Sequence, residues 1–150
     1  LAKALRKISL LGINLTVSPV VETEAWGYDD AKRYLNLVCS LDTVLSPRGL
    51  LQEVLAIERE MGRVRSGPIY EARIIDIDIV LYGDEILQHG HLEVPHPRMH
   101  LRRFVLWPLH QLAPHIVHPV LHKSIAVLLH ECPDESIMVP YLHELPVYSD

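Results

Sequence analysis

Asp76 and Asp78 stand two residues apart in the run Ile74-Ile75-Asp76-Ile77-Asp78-Ile79-Val80-Leu81. The alternation and the β-branched content predict a strand within residues 73–87. Strand positions i and i+2 share a side and lie roughly 6.5 Å apart along the chain. Two carboxylates so placed repel each other and resist burial, so a cation stabilises the pair. Such oxygen ligands suit Mg²⁺, which takes one or two carboxylates and completes its shell with water and phosphate oxygens. Taken alone, the same pair more often describes a solvated surface strand.

The surrounding residues favour phosphate. Seven of the ten arginines lie between residues 59 and 103. Arg63, Arg65 and Arg73 precede the carboxylates, and Arg98, Arg102 and Arg103 follow them. A guanidinium forks onto phosphate oxygens. His96 stands between Pro95 and Pro97, and in so rigid a turn its imidazole could donate to a phosphate. The plainer reading of the arginines is a solvated basic surface.

Elements must carry these residues. Residues 1–11 read as the end of a helix, with Leu1, Leu5 and Ile8 at helical spacing and Gly12 as its stop. Residues 13–24 read as a strand, 25–32 as a loop and 34–44 as a second strand. Ser46-Pro47 starts a helix that runs through Leu50, Val54, Ile57 and Glu58 to Gly62. Residues 63–68 form a basic connection into the Asp strand. Residues 85–94 read as a hairpin return, 95–99 as a turn, 124–130 as a short helix, and the proline-bearing tail from Cys132 as a surface loop. The expected class is α+β, with helices flanking a mainly antiparallel sheet.

The totals bound the function. The 150 residues suit a single domain spanning 1–150. A net charge of −5 gives no reason to expect a nucleic-acid partner. Cys39 and Cys132 lack metal spacing and read as reduced thiols. No apolar run reaches membrane-spanning length, so a cytoplasmic protein without membrane contact is expected. His89, His91, His96 and His100 do not follow a closed zinc pattern.

Taken in order, several segments resemble 6-hydroxymethyl-7,8-dihydropterin pyrophosphokinase of folate biosynthesis. They are Arg73-x-x-Asp76-x-Asp78-Ile79, then Tyr82-Gly83, Val94-Pro95-His96-Pro97, Arg102-x-Phe104-Val105-Leu106-x-Pro108-Leu109 and Ala113-Pro114. Upstream lie Thr23-Glu24-Ala25-Trp26-Gly27, Tyr34-Leu35-Asn36, Leu45-Ser46-Pro47, Ile57-Glu58 and Met61-Gly62-Arg63-Val64-Arg65. Each piece is weak; their joint order from Thr23 to Pro119 is specific. The resemblance implies a ferredoxin-like sandwich and transfer of pyrophosphate from ATP to the pterin hydroxymethyl, leaving AMP. It implies two Mg²⁺ ions on Asp76 and Asp78, with Arg63 and Arg73 handling phosphate. It also implies nucleotide contacts from Glu58, Arg65, Tyr70, Ile79, His96, Pro97 and Arg102. Asn36 would read the pterin's polar edge, Phe104 would stack on it, and Thr23, Trp26 and Tyr34 would line its pocket.

Departures accompany the likeness. Tyr70 stands where some members carry tryptophan, and His91 and Glu93 replace residues that help bind nucleotide. The family's first strand has no counterpart: Leu11-Gly12-Ile13-Asn14-Leu15 imitates its closing turn, but seven residues then separate Leu15 from Thr23, too few for a helix and a strand. Two other readings stay open, a binding domain lacking that strand and turnover, and a two-metal nucleotidyltransferase or nuclease, which the net charge disfavours. The expected assembly is a monomer or weak dimer, with fusion into a longer folate-pathway chain left open.

Overall fold

The computed structural model describes residues 1–24, 33–62 and 74–143. Trp26, Arg63, Arg65, Tyr70 and Arg73 lie outside the described residues, as do the loop expected at 25–32 and the connection at 63–68.

Helix α1 (Ala2–Ile8) runs into one 3₁₀ turn and stops before Gly12. A Cβ at Gly12 would fall 2.1 Å from the Asp42 carbonyl oxygen, so the chain's close approach to residue 42 needs glycine here. The two expected strands each divide. The run expected at 13–24 gives β1 (Ile13–Val17) and β2 (Val21–Glu24), and the run expected at 34–44 gives β3 (Arg33–Asn36), one residue earlier, and β4 (Cys39–Asp42). β1 pairs antiparallel with β4 and β2 with β3, so both runs break at the same level. Pro19 has no N–H to give a ladder. Buried Ser18 bridges the break instead: its N–H donates to the Val38 carbonyl and its Oγ accepts from the Val38 N–H, both at 2.9 Å.

Helix α2 (Pro47–Glu60) begins as its sequence predicts, with Ser46 Oγ accepting the Gly49 N–H at 3.1 Å. It ends at Gly62, whose φ of +100° suits glycine. β5 (Leu87–His89) and β6 (Leu92–Val94) form the expected hairpin. Helix α3 (Arg103–Leu112) and helix α4 (Ile125–Glu131) follow, and β7 (Met138–Pro140) pairs antiparallel with β2. The tail expected as a loop therefore contains a strand. Its three residues, one of them proline, carry too little alternation to be legible. Among the described residues every ladder is antiparallel and the order of the largest sheet is β3-β2-β7. The α+β class stands, consistent with a ferredoxin-like sandwich. No helix among the described residues is long and apolar enough to cross a membrane.

One expectation needs correction. No ladder among the described residues includes 74–82. The period-two burial is nevertheless present: Ile74, Asp76 and Asp78 are exposed while Ile75, Ile77 and Ile79 are half-buried. Alternation sets which side chains turn inward, but a strand also needs a backbone neighbour, and that depends on the rest of the fold. Ile75 and Ile77 pack on a cluster of Ala4, Ile8 and Ile57 from α1 and α2. Val80 and Leu81 pack on a second cluster, Met99, Leu106, Leu109, Ile125 and Leu128. The acidic segment thus rests across both cores.

In the connection between α3 and α4, His118 is only 4% exposed. Its Nδ1 accepts the N–H groups of Val120 and Leu121 at 3.2 and 3.0 Å, which requires that nitrogen to be unprotonated. Burial first, then the neighbouring His100 and His122, push its pKa below the ordinary histidine value. A histidine depressed in the folded state contributes stability that is complete above its unfolded pKa and declines as pH falls below it. The melting temperature is therefore expected to drop as pH is lowered through about 6.5. His118→Asn, which keeps an acceptor but takes up no proton, should weaken that drop in a pH series of thermal melts; an unchanged slope contradicts the assignment.

Candidate active site

A cleft of about 830 Å³ opens on the exposed side of the acidic segment. Asp76, Asp78 and Val80 line it together, as residues spaced by two on one face should. The opposite face of the segment is held from behind. Glu58 of α2, 3% exposed, accepts the Ile77 N–H on Oε1 at 2.8 Å, between the two carboxylates. The Val80 carbonyl accepts the His96 N–H at 2.8 Å.

His96 is placed by the turn after β6. The Arg98 N–H donates to its Nδ1 at 3.1 Å, so the neutral ring carries its proton on Nε2. Nε2 lies 4.0 Å from Asp78 Oδ2, beyond hydrogen-bond range. Burial lowers the imidazole's pKa, Arg102 and Arg98 lower it further, and Asp78 and Glu93 act the other way; the net direction is down. A neutral Nε2–H donor thus faces the carboxylate wall.

The second wall comes from β2 and β3. Thr23, Tyr34 and Asn36 line the cleft, and the Asn36 Nδ2 donates to Thr23 Oγ1 at 2.9 Å. That bond fixes the amide's orientation and leaves its carbonyl to accept from a ligand. The third wall is the start of α3. The Arg102 guanidinium carbon sits 5.8 Å from the centre of the Phe104 ring, within cation–π range, and both residues line the cleft. Phe104 is half-buried in the cleft wall rather than sealed in a core.

The structure therefore brings Thr23, Tyr34, Asn36, Asp76, Asp78, His96, Arg102 and Phe104 to one cleft. It does not bring Glu58, Ile79 or Pro97 to its lining: Glu58 lies beneath the acidic segment, Ile79 alternates away and Pro97 is exposed. Arg98, Met99, Pro133 and Asp134 join the lining although no motif singled them out as cleft residues. Arg98 was legible as part of the basic set; a lone aspartate in a proline-bearing tail carries no signal. Among the described residues no three His, Cys, Asp or Glu side chains group as a metal site. Two exposed carboxylates fit an ion that draws the rest of its shell from water and phosphate. They do not fit a closed zinc centre. The cleft can thus take a charged, phosphate-bearing group at one side and a flat heterocycle with polar edges at the other.

The chain is similar to known proteins over most of its length. The model of the 7,8-dihydro-6-hydroxymethylpterin-pyrophosphokinase (HPPK) family matches residues 1–114. The 2-amino-4-hydroxy-6-hydroxymethyldihydropteridine pyrophosphokinase of Pseudomonas aeruginosa is 42% identical over 126 residues, 82% of this chain and 75% of that protein. The enzyme of the same name from Aquifex aeolicus is 38% identical over 112 residues, 73% of this chain and 68% of that protein. The Schizosaccharomyces pombe folic acid synthesis protein fol1 is 42% identical over 126 residues, 82% of this chain. The matched stretch is 17% of that protein and 19% of its Pneumocystis carinii counterpart, so the chain spans a small part of these fungal relatives.

The bond beneath the carboxylates generates a prediction. Glu58→Ala withdraws the acceptor from the Ile77 N–H and should lower unfolding free energy by about 1–3 kcal/mol. Glu58→Gln keeps a carbonyl acceptor and should cost less. Urea denaturation reads both, and an alanine variant as stable as wild type contradicts the role given to Glu58.

Proposed function

The chain belongs to the 7,8-dihydro-6-hydroxymethylpterin-pyrophosphokinase family, and from that premise we propose that it transfers pyrophosphate from ATP to 6-hydroxymethyl-7,8-dihydropterin. The hydroxymethyl oxygen bonds to the β-phosphorus of ATP, the bond from that phosphorus to the α–β bridging oxygen breaks, and AMP leaves. The hydroxymethyl proton departs to solvent. One observation carries the reading: Asp76 and Asp78 share a single cleft with Asn36 and Phe104.

Asp76 and Asp78 would hold two Mg²⁺ ions, which when bound neutralise phosphate charge and align the attacking and leaving oxygens. The chain's own residues do the rest by placement. Arg98 and Arg102 offer guanidinium forks to the phosphates, with Arg63, Arg65 and Arg73 assigned the same task from their motif positions. The neutral His96 Nε2–H donates to a phosphate oxygen. Asn36 pairs with the pterin's amide-like edge and Phe104 stacks on its ring. No side chain is required as a general base, because positioning and charge neutralisation can carry most of a phosphoryl transfer. In this reading the protein acts in the cytoplasm on small molecules, with no nucleic-acid or membrane partner. It acts as a monomer or weak dimer, or within a longer folate-pathway chain.

Release of AMP from ATP tests the proposal. It should require both the pterin and Mg²⁺. Asp78→Ala is expected to lower kcat/KM by at least about a hundredfold, with the circular dichroism of the fold unchanged. Wild-type AMP release in the folded Asp78→Ala variant contradicts the metal assignment, and AMP release independent of the pterin contradicts the acceptor.

A further inference from the structure

Residues beyond 114 lie outside the family match, yet one of them reaches the cleft in a way its sequence did not announce. Helix α3 starts without a cap of its own: Arg102 occupies the N-cap position and its side chain accepts no hydrogen bond there. The first N–H groups of a helix have no partner within it. Asp134, remote in sequence, supplies one. Its Oδ2 accepts the Arg103 N–H and its Oδ1 accepts the Ser136 N–H, each at 2.9 Å. The residue is 9% exposed. Burial works against its charge, but hydrogen bonds from Ser136 and from the Arg103 N–H overcome this and hold the carboxyl below the ordinary carboxylate value. It is therefore ionised at neutral pH, and negative charge suits a helix N-terminus.

The same segment is tied down at its other end. Four residues after Asp134, β7 begins and pairs Met138 with Thr23 and Val139 with Glu22. The Tyr141 N–H then donates to the Val20 carbonyl at 3.0 Å. One short stretch thus joins the start of α3, which carries Arg102 and Phe104, to the strand that carries Thr23 and, through it, Asn36.

We infer that Asp134 is a positioning residue for the transfer, fixing the first turn of α3 so that Arg102 and Phe104 face the wall built by β2 and β3. Both its oxygens are engaged by backbone N–H groups, so it acts through the helix rather than on a substrate. The inference rests on the pyrophosphokinase reading of the cleft.

Its test combines two readouts on the full chain. Asp134→Ala removes both acceptors; Asp134→Asn keeps the shape and one acceptor oxygen. Amide hydrogen exchange across residues 103–106 reads the helix start without any reaction. It should quicken in Asp134→Ala and by less in Asp134→Asn. Steady-state kinetics should show the KM for the pterin raised about fivefold in Asp134→Ala, with kcat within about twofold of wild type and partial recovery in Asp134→Asn. Wild-type exchange in Asp134→Ala overturns the inference, and so does quickened exchange with an unchanged KM. Failure of the function itself has a separate signature, a wild-type chain that releases no AMP in the presence of both substrates and Mg²⁺.

Discussion

Two carboxylates on one side of a short segment repel each other, and the structure depends on how that segment is held. Asp76 and Asp78 face the cleft because Ile75 and Ile77 are drawn into the core of α1 and α2 on the other side. The buried Glu58 carboxylate accepts the Ile77 N–H at the midpoint, and the Val80 carbonyl accepts the His96 N–H. These contacts do for this stretch what a ladder does for an ordinary strand. They also place Glu58 beneath the segment rather than in the cleft lining.

Three further parts of the chain complete the cleft. β2 and β3 bring Thr23 and Asn36 into a fixed polar pair. The turn after β6 aims a neutral His96 at the carboxylates. Helix α3 presents Arg102 and Phe104, and the tail that crosses from α4 to β7 anchors the start of that helix. In the proposed reading the polar and aromatic walls take the flat heterocycle, and the basic and acidic ones take the metal-bound triphosphate.

Much of this was legible in the residues, for physical reasons that differ from one residue to the next. The period-two burial of Ile75 to Ile79 follows from local pattern, and so does the Ser46 cap of α2. The breaks at Ser18 and Val38 were missed when residues 13–24 and 34–44 were each read as one strand, although Pro19 lacks the N–H that a continuous ladder needs. That residues 74–82 join no ladder among the described residues was not visible, because pairing is a property of neighbours and not of the segment. Phe104 could have been core by composition alone; only its place on the first turn of α3 puts it at the cleft. Asp134 left no trace, since its role arises from a contact across 31 positions of sequence.

The central claim is that the carboxylate pair and the aromatic wall serve one bound complex. Phe104 is the sole phenylalanine of the chain, so fluorinated phenylalanine places a single ¹⁹F resonance in the cleft. Mn²⁺ accepts the same oxygen ligands as Mg²⁺ and broadens nearby nuclei. With a non-hydrolysable ATP analogue present, Mn²⁺ should broaden that resonance strongly, and Asp76→Ala combined with Asp78→Ala should restore its sharpness. A resonance that stays sharp while Mn²⁺ and nucleotide are bound, or one broadened equally without the two carboxylates, contradicts the account.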